Sequence, residues 1–148
     1  MSYKTPFPQK NKTEADIALD PKFDTEEASK SEHHLWKRRR VLDNFTTSDS
    51  YQDSKIFDAR FLKEKIVSMK NFHASNCAKY KVLGCLDPTI WHELVAEAQL
   101  EGGASIKLDS SVTGAEQLGK PFAFIKIQVA SFAAGNPATI NAFIGGQK

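Results

Sequence analysis

Within GKPFAFIKIQV (Gly119 to Val129), residues Phe122, Phe124, Lys126 and Gln128 share one parity, and Ala123, Ile125, Ile127 and Val129 share the other. Successive side chains of a strand point to opposite faces, so one face of this run is small and aliphatic. The other carries two phenyl rings, an ammonium and an amide. The aliphatic side reads as a core face, and the second side is either covered by a neighbouring element or left open to stack on something flat. A second cluster is KRRR, Lys37, Arg38, Arg39 and Arg40. It suits three roles: a nuclear import signal, a phosphate-binding flank, or the solvated basic end of a helix. His73, Cys77, Cys85 and His92 are all of zinc-ligand type, separated by three, seven and six residues. A zinc site needs all four to converge, whereas Cys85 falls inside an expected strand and His92 beyond the start of an expected helix, so no metal is expected. No cysteine or serine sits in an activating motif and no glycine loop suits a nucleotide. The chain therefore reads as a non-enzyme without a cofactor.

The elements that must position these groups have to come from 148 residues, 41% of them hydrophobic and 26% charged, enough for one modest core. Twenty basic against eighteen acidic residues give a formal charge of +2, so any basic signal is local. No apolar run approaches the roughly 18 residues of a membrane span, and MSYKTPFPQKNKTEAD lacks the apolar stretch of a secretory signal. The expectation is a nuclear protein, with a cytoplasmic one as the alternative and no membrane partner. Two cysteines are too few for a disulfide framework.

Residues 1–23, polar and holding Pro6, Pro8 and Pro21, read as a disordered or extended tail. Residues 24–75 read as a helical arm. Asp24 and Glu27 suit the start of a helix and Lys37 to Arg40 its end, and KIFDARFLKEKIVSMKNF spaces Phe57, Phe61, Leu62, Ile66, Met69 and Phe72 around half of a helical circumference. After the arm, KYKVLGCL reads as a strand. DPTIWHELVAEAQLEGG reads as a helix capped by Asp87, started at Pro88 and stopped at Gly102 and Gly103. ASIKLDS and the opening run read as strands, and ATINAFI as a short final helix.

This order, with KPFAFIKI, resembles the RNA recognition motif over roughly residues 79–148. Lys120, Phe122, Ala123, Phe124 and Ile125 match that family's octamer, while Pro121 stands in place of its glycine and Ile127 in place of its last aromatic. The resemblance implies an α+β, ferredoxin-like β-α-β-β-α sandwich over residues 76–148, with an incomplete fourth strand because only GGQK follows Ile144. It implies single-stranded RNA stacked on Phe122 and Phe124, with Val82 in place of the family's first-strand aromatic and Tyr80, of the same parity one step along the strand, as a partial replacement for that ring. Lys120, Lys126 and Lys107 would meet phosphates, and Gln128 a base edge. It also implies an open backbone edge along Tyr80 to Leu86, covered by the arm or by a partner. The functional expectation is RNA binding within a processing or ribonucleoprotein assembly that includes a protein partner. The alternative is a scaffold or assembly subunit whose sheet binds a protein partner or its own arm.

Overall fold

The computed structural model describes residues 36–147. Nine strands run along them: β1 Trp36–Thr46, β2 Gln52–Asp53, β3 Phe57–Asp58, β4 Glu64–Asn71, β5 Ala78–Asp87, β6 Ile90–Leu100, β7 Ser105–Leu108, β8 Phe124–Ser131 and β9 Thr139–Gln147. A 3₁₀ turn lies at Glu116–Gly119. One sheet has the order β1-β9-β4-β7. The other has the order β2-β8-β5-β6, with β3 continuing β2 along the same partner. All pairs are antiparallel. Every connection except the β2–β3 continuation and the β5–β6 hairpin passes from one sheet to the other. With β2 and β3 counted as one interrupted strand, this is the eight-stranded jelly-roll sandwich.

The α+β expectation is therefore corrected, and each misread segment has a local reason. Strand β4 alternates regularly, with Lys65, Val67, Met69 and Asn71 inward and Ile66 outward. Two polar residues on its buried side disguise the period of two. In β6 the buried neighbours Leu94 and Val95 imitate a helical stripe. The register with β5 shifts there, and such a bulge turns two successive side chains toward one face. Asp87 accepts the Thr89 N–H at 3.0 Å and closes the β5–β6 turn, a task chemically identical to capping a helix. In β9, Ile140, Ala142, Ile144 and Gly146 alternate inward. The expected arm is not separate: residues 36–71 supply β1 to β4, with strands in both sheets, and the expected boundary at 75/76 falls between paired elements. Residues 1–35, including the tail and the start of the expected first helix, lie outside the described residues. The backbone edge of β5 is not open either, because β8 and β6 flank it.

The core lies between the sheets. Phe57, Val67, Val82, Ile125, Ile127, Val129, Ile140 and Ile144 have no exposed surface. Buried polar groups are satisfied within it. Thr47 and Ser131 hydroxyls meet at 2.8 Å, and Asn71 Nδ2 donates to the carbonyls of Asn76 at 2.8 Å and Leu100 at 3.2 Å. Inward-facing Lys65 is the exception in kind. Its ammonium donates to the carbonyls of Leu62 at 3.4 Å, Lys63 at 3.5 Å and Lys120, tying together two loops at one end of the sandwich.

Candidate functional site

The parity read from GKPFAFIKIQV holds within β8, from Phe124 onward, and fails at Phe122, which precedes the strand and packs against the core instead of sharing the outer face. Ile125, Ile127 and Val129 face the core, while Phe124, Lys126 and Gln128 lie on the outer side of β8. That outer side is occupied by the chain itself. Lys126 Nζ sits 2.9 Å from Asp53 Oδ2 and 4.3 Å from the centre of the Trp91 ring, and only 9% of the residue is exposed. Gln128 Nε2 donates to Asp53 Oδ1 at 2.8 Å, and the Arg60 guanidinium lies 5.5 Å from the Phe124 ring centre. Phe122 is half-buried against the core beside Gly84, where a Cβ would meet its ring at 3.2 Å. Burial works to raise the Asp53 carboxyl pKa, but the hydrogen bonds from Gln128 and Lys126 and the Lys126 charge together hold it below its ordinary value.

Along the same face Tyr51 donates its hydroxyl to Glu97, with the ammonium groups of Lys81 at 4.6 Å and Lys79 at 5.3 Å over its ring. Burial, then the Glu97 hydrogen bond and charge, push the Tyr51 pKa up. Tyr51, Asp53 and Trp91 were not foreseen. The first two sit in a Ser/Thr/Asp cluster that carries no strand signal, and Trp91 fits a helical stripe equally well. Replacing Asp53 with alanine removes the carboxylate partner of a nearly buried ammonium and leaves Gln128 without its acceptor. The expected cost is about 1–3 kcal/mol in urea unfolding; an unchanged midpoint would show that this layer is decorative.

The other expected contacts scatter. Tyr80 and Val82 point inward and are buried, which corrects their assignment to an RNA-facing surface. Lys107 lies on β7 in the opposite sheet, and Lys120 is exposed in the loop before β8. The four cations of KRRR alternate along β1. Lys37 lies 5.6 Å from the ring centre of core residue Phe57 and Arg39 donates to the Ile56 carbonyl at 3.2 Å, whereas Arg38 and Arg40 belong to the outer face. His73 Nδ1 accepts the N–H groups of Ser75 at 3.1 Å and Asn76 at 2.8 Å, a turn-forming role. Among the described residues no group of three or more His, Cys, Asp or Glu is placed to hold a metal ion.

The outer face of the β1-β9-β4-β7 sheet has a different character. An open groove of about 510 Å³ runs across it, lined by Arg38, Glu64, Ile66, Ser68, Phe143 and Gly145. Ile66 is 39% exposed and Phe143 half-buried, with the Arg40 guanidinium 5.0 Å from the Phe143 ring centre. Gly145 contributes no side chain, which leaves the groove open between Arg38 and Ile66, its register partners on either side. Lys70 and Lys107 extend the cationic surround, and Glu64 accepts the Ser110 hydroxyl at 2.6 Å. The arrangement offers apolar contact within a mainly cationic rim.

No family model and no curated protein matches the chain. Similar solved structures include two of infectious bursal disease virus. One, of the Gx strain, is 11% identical over 74% of this chain and 31% of that one, with a TM-score of 0.43. The other, of the T13 viral particle, is 9% identical over 75% and 31%, with a TM-score of 0.45. A structure of Bacillus endospore appendages, described as disulfide-linked pili, is 9% identical over 76% of this chain and 88% of that one, with a TM-score of 0.41. The chain spans about a third of the viral chains it matches.

Proposed function

We propose that the chain is a structural subunit, not an enzyme, that works by protein–protein contact through the outer face of the β1-β9-β4-β7 sheet. The observation that carries this reading is the contrast between the two outer faces. One is filled by Tyr51, Trp91, Arg60 and Asp53 from the chain itself, and the other keeps Ile66 and Phe143 in an open groove. An apolar centre within a charged rim is the anatomy of a protein interface. A second reading, single-stranded RNA binding, is supported by the cations Arg38, Arg40, Lys70 and Lys107 around the same groove, which suit phosphates.

The test is the size of the species that holds the protein in cells expressing it, resolved by gel filtration of the lysate with and without ribonuclease. The assembly reading expects a large species that survives ribonuclease and is lost for Ile66→Glu. Collapse on ribonuclease favours RNA, and a wild-type chain running at its free mass of 16.5 kDa refutes assembly.

A further inference from the structure

Among the described residues, the most exposed large apolar side chains lie at one end of the sandwich: Phe61 at 85%, Leu86 at 73% and Ile90 at 59%. Hydrogen bonds place their loops together. Ala59 N–H donates to the Ala123 carbonyl and Ala123 N–H to the Cys85 carbonyl, each at 2.8 Å. The segments leading to Phe61 and Leu86 therefore flank residue 123 like adjacent strands, roughly 10 Å apart.

Both loops are built to hold these side chains outward. Asp58 takes Arg60 in a two-point ion pair at 2.9 and 2.7 Å and also accepts the Arg60 N–H at 3.0 Å. Phe61 follows with φ of 71°, a left-handed conformation that is unusual for a bulky residue. In the other loop the Asp87 carboxylate fixes both the N–H and the hydroxyl of Thr89 at 3.0 Å. Apolar groups that are exposed and also held rigidly lose little entropy on binding, and strained backbone concentrates at binding sites.

We propose that this end of one copy seats in the groove of a second copy, with Phe61 and the Leu86–Ile90 pair packing against Ile66 and Phe143. This rests on the assembly reading and names its partner. The chain carries both halves of an apolar contact, a rigid projection and an open groove. Such a pair of complementary sites on one molecule drives association between copies. The groove volume of about 510 Å³ falls within the range of roughly 300–1,000 Å³ that encloses ligand-sized groups. Charge agrees, since Asp87 stands between Leu86 and Ile90 while Lys70 and Lys107 stand on the same face as the groove. The Phe61 ring does not fill its own chain's groove, being 85% exposed.

Sedimentation velocity of the purified full chain over a concentration series tests the contact. Three proteins are compared: wild type, Phe61→Gly/Leu86→Ser, which removes the projection, and Ile66→Glu, which blocks the groove. Wild type is expected to associate, and each variant to associate about a hundredfold more weakly. Mixing the two variants is expected to restore association, because one retains a groove and the other a projection. Thermal melts check folding, and Phe143→Ser replaces Ile66→Glu if the latter melts early. A projection variant that associates as well as wild type overturns the proposal, as does a mixture that stays monomeric. A purified wild type that is monomeric while the ribonuclease-resistant species persists in cells overturns this contact and leaves the assembly reading standing.

Discussion

Replacing Phe57 with alanine is expected to cost the fold about 3–5 kcal/mol, the range for deleting a fully buried phenyl ring. Phe57 has no exposed surface, pairs with Ile125 at the edge of β8 and belongs to the core that both sheets share. Its strand is only two residues long, so the ring rather than the backbone ladder anchors this edge. For a domain of this size the melting midpoint falls by roughly 10 °C or more, in one transition. If residues before β5 formed a detachable arm, the midpoint of the remaining chain would not move. Calorimetry of the full-length variant separates the two outcomes.

Lys65 carries the other large effect. The side chain is fully buried, so Lys65→Ala removes a packed stem and the donor that three loop carbonyls share, an expected loss of about 2–5 kcal/mol. Lys65→Met keeps most of the stem and loses less, and it isolates the charge. Burial lowers the folded-state pKa of Lys65, with the Glu64 charge acting weakly the other way. Between that lowered value and the unfolded value near 10.4, the unfolded chain binds more protons, so stability rises with pH. Wild type should therefore gain on Lys65→Met as pH is raised toward about 10, and the difference should level off below the folded-state pKa. Burial raises the pKa of Tyr80, and that titration is common to both proteins and cancels in the difference. Urea unfolding of the pair between neutral and alkaline pH measures it; a constant gap would show that the ammonium is not desolvated.

What could be read from the sequence was local. The parity of GKPFAFIKIQV and the strands at KYKVLGCL and ASIKLDS depend on alternation within a few residues, and β8, β5 and β7 lie there. What covers the outer side of β8 could not be read, because Asp53 reaches Lys126 and Gln128 across 73 and 75 residues of chain. The helices failed for a related reason. KRRR has no apolar member to reveal a period of two, and β1 is further disturbed by register shifts and by Asn44 at φ of 47°. Lys65 and Asn71 are buried only because distant carbonyls receive their donors, which no residue scale anticipates. The resemblance to an RNA recognition motif rested on an element order whose two helices are the strands β6 and β9, and on an octamer whose alternation is equally that of an interior jelly-roll strand. The groove drew on Ile66 and Phe143, which helical reading had spent on two separate elements.

Hydrogen exchange of the full chain tests the central claim that residues 36–147 form one sandwich, which both the groove and its proposed contact require. Strands β1 and β4 flank β9, so the β1 amides between Arg38 and Phe45 that donate to β9, and the amides of Lys65 to Lys70, should be protected and open only with global unfolding, while the alternate amides of edge strand β1 exchange faster. Fast exchange throughout residues 36–71 beside a protected 78–147 would contradict the account, because the β1-β9-β4-β7 sheet would then have no independent reality.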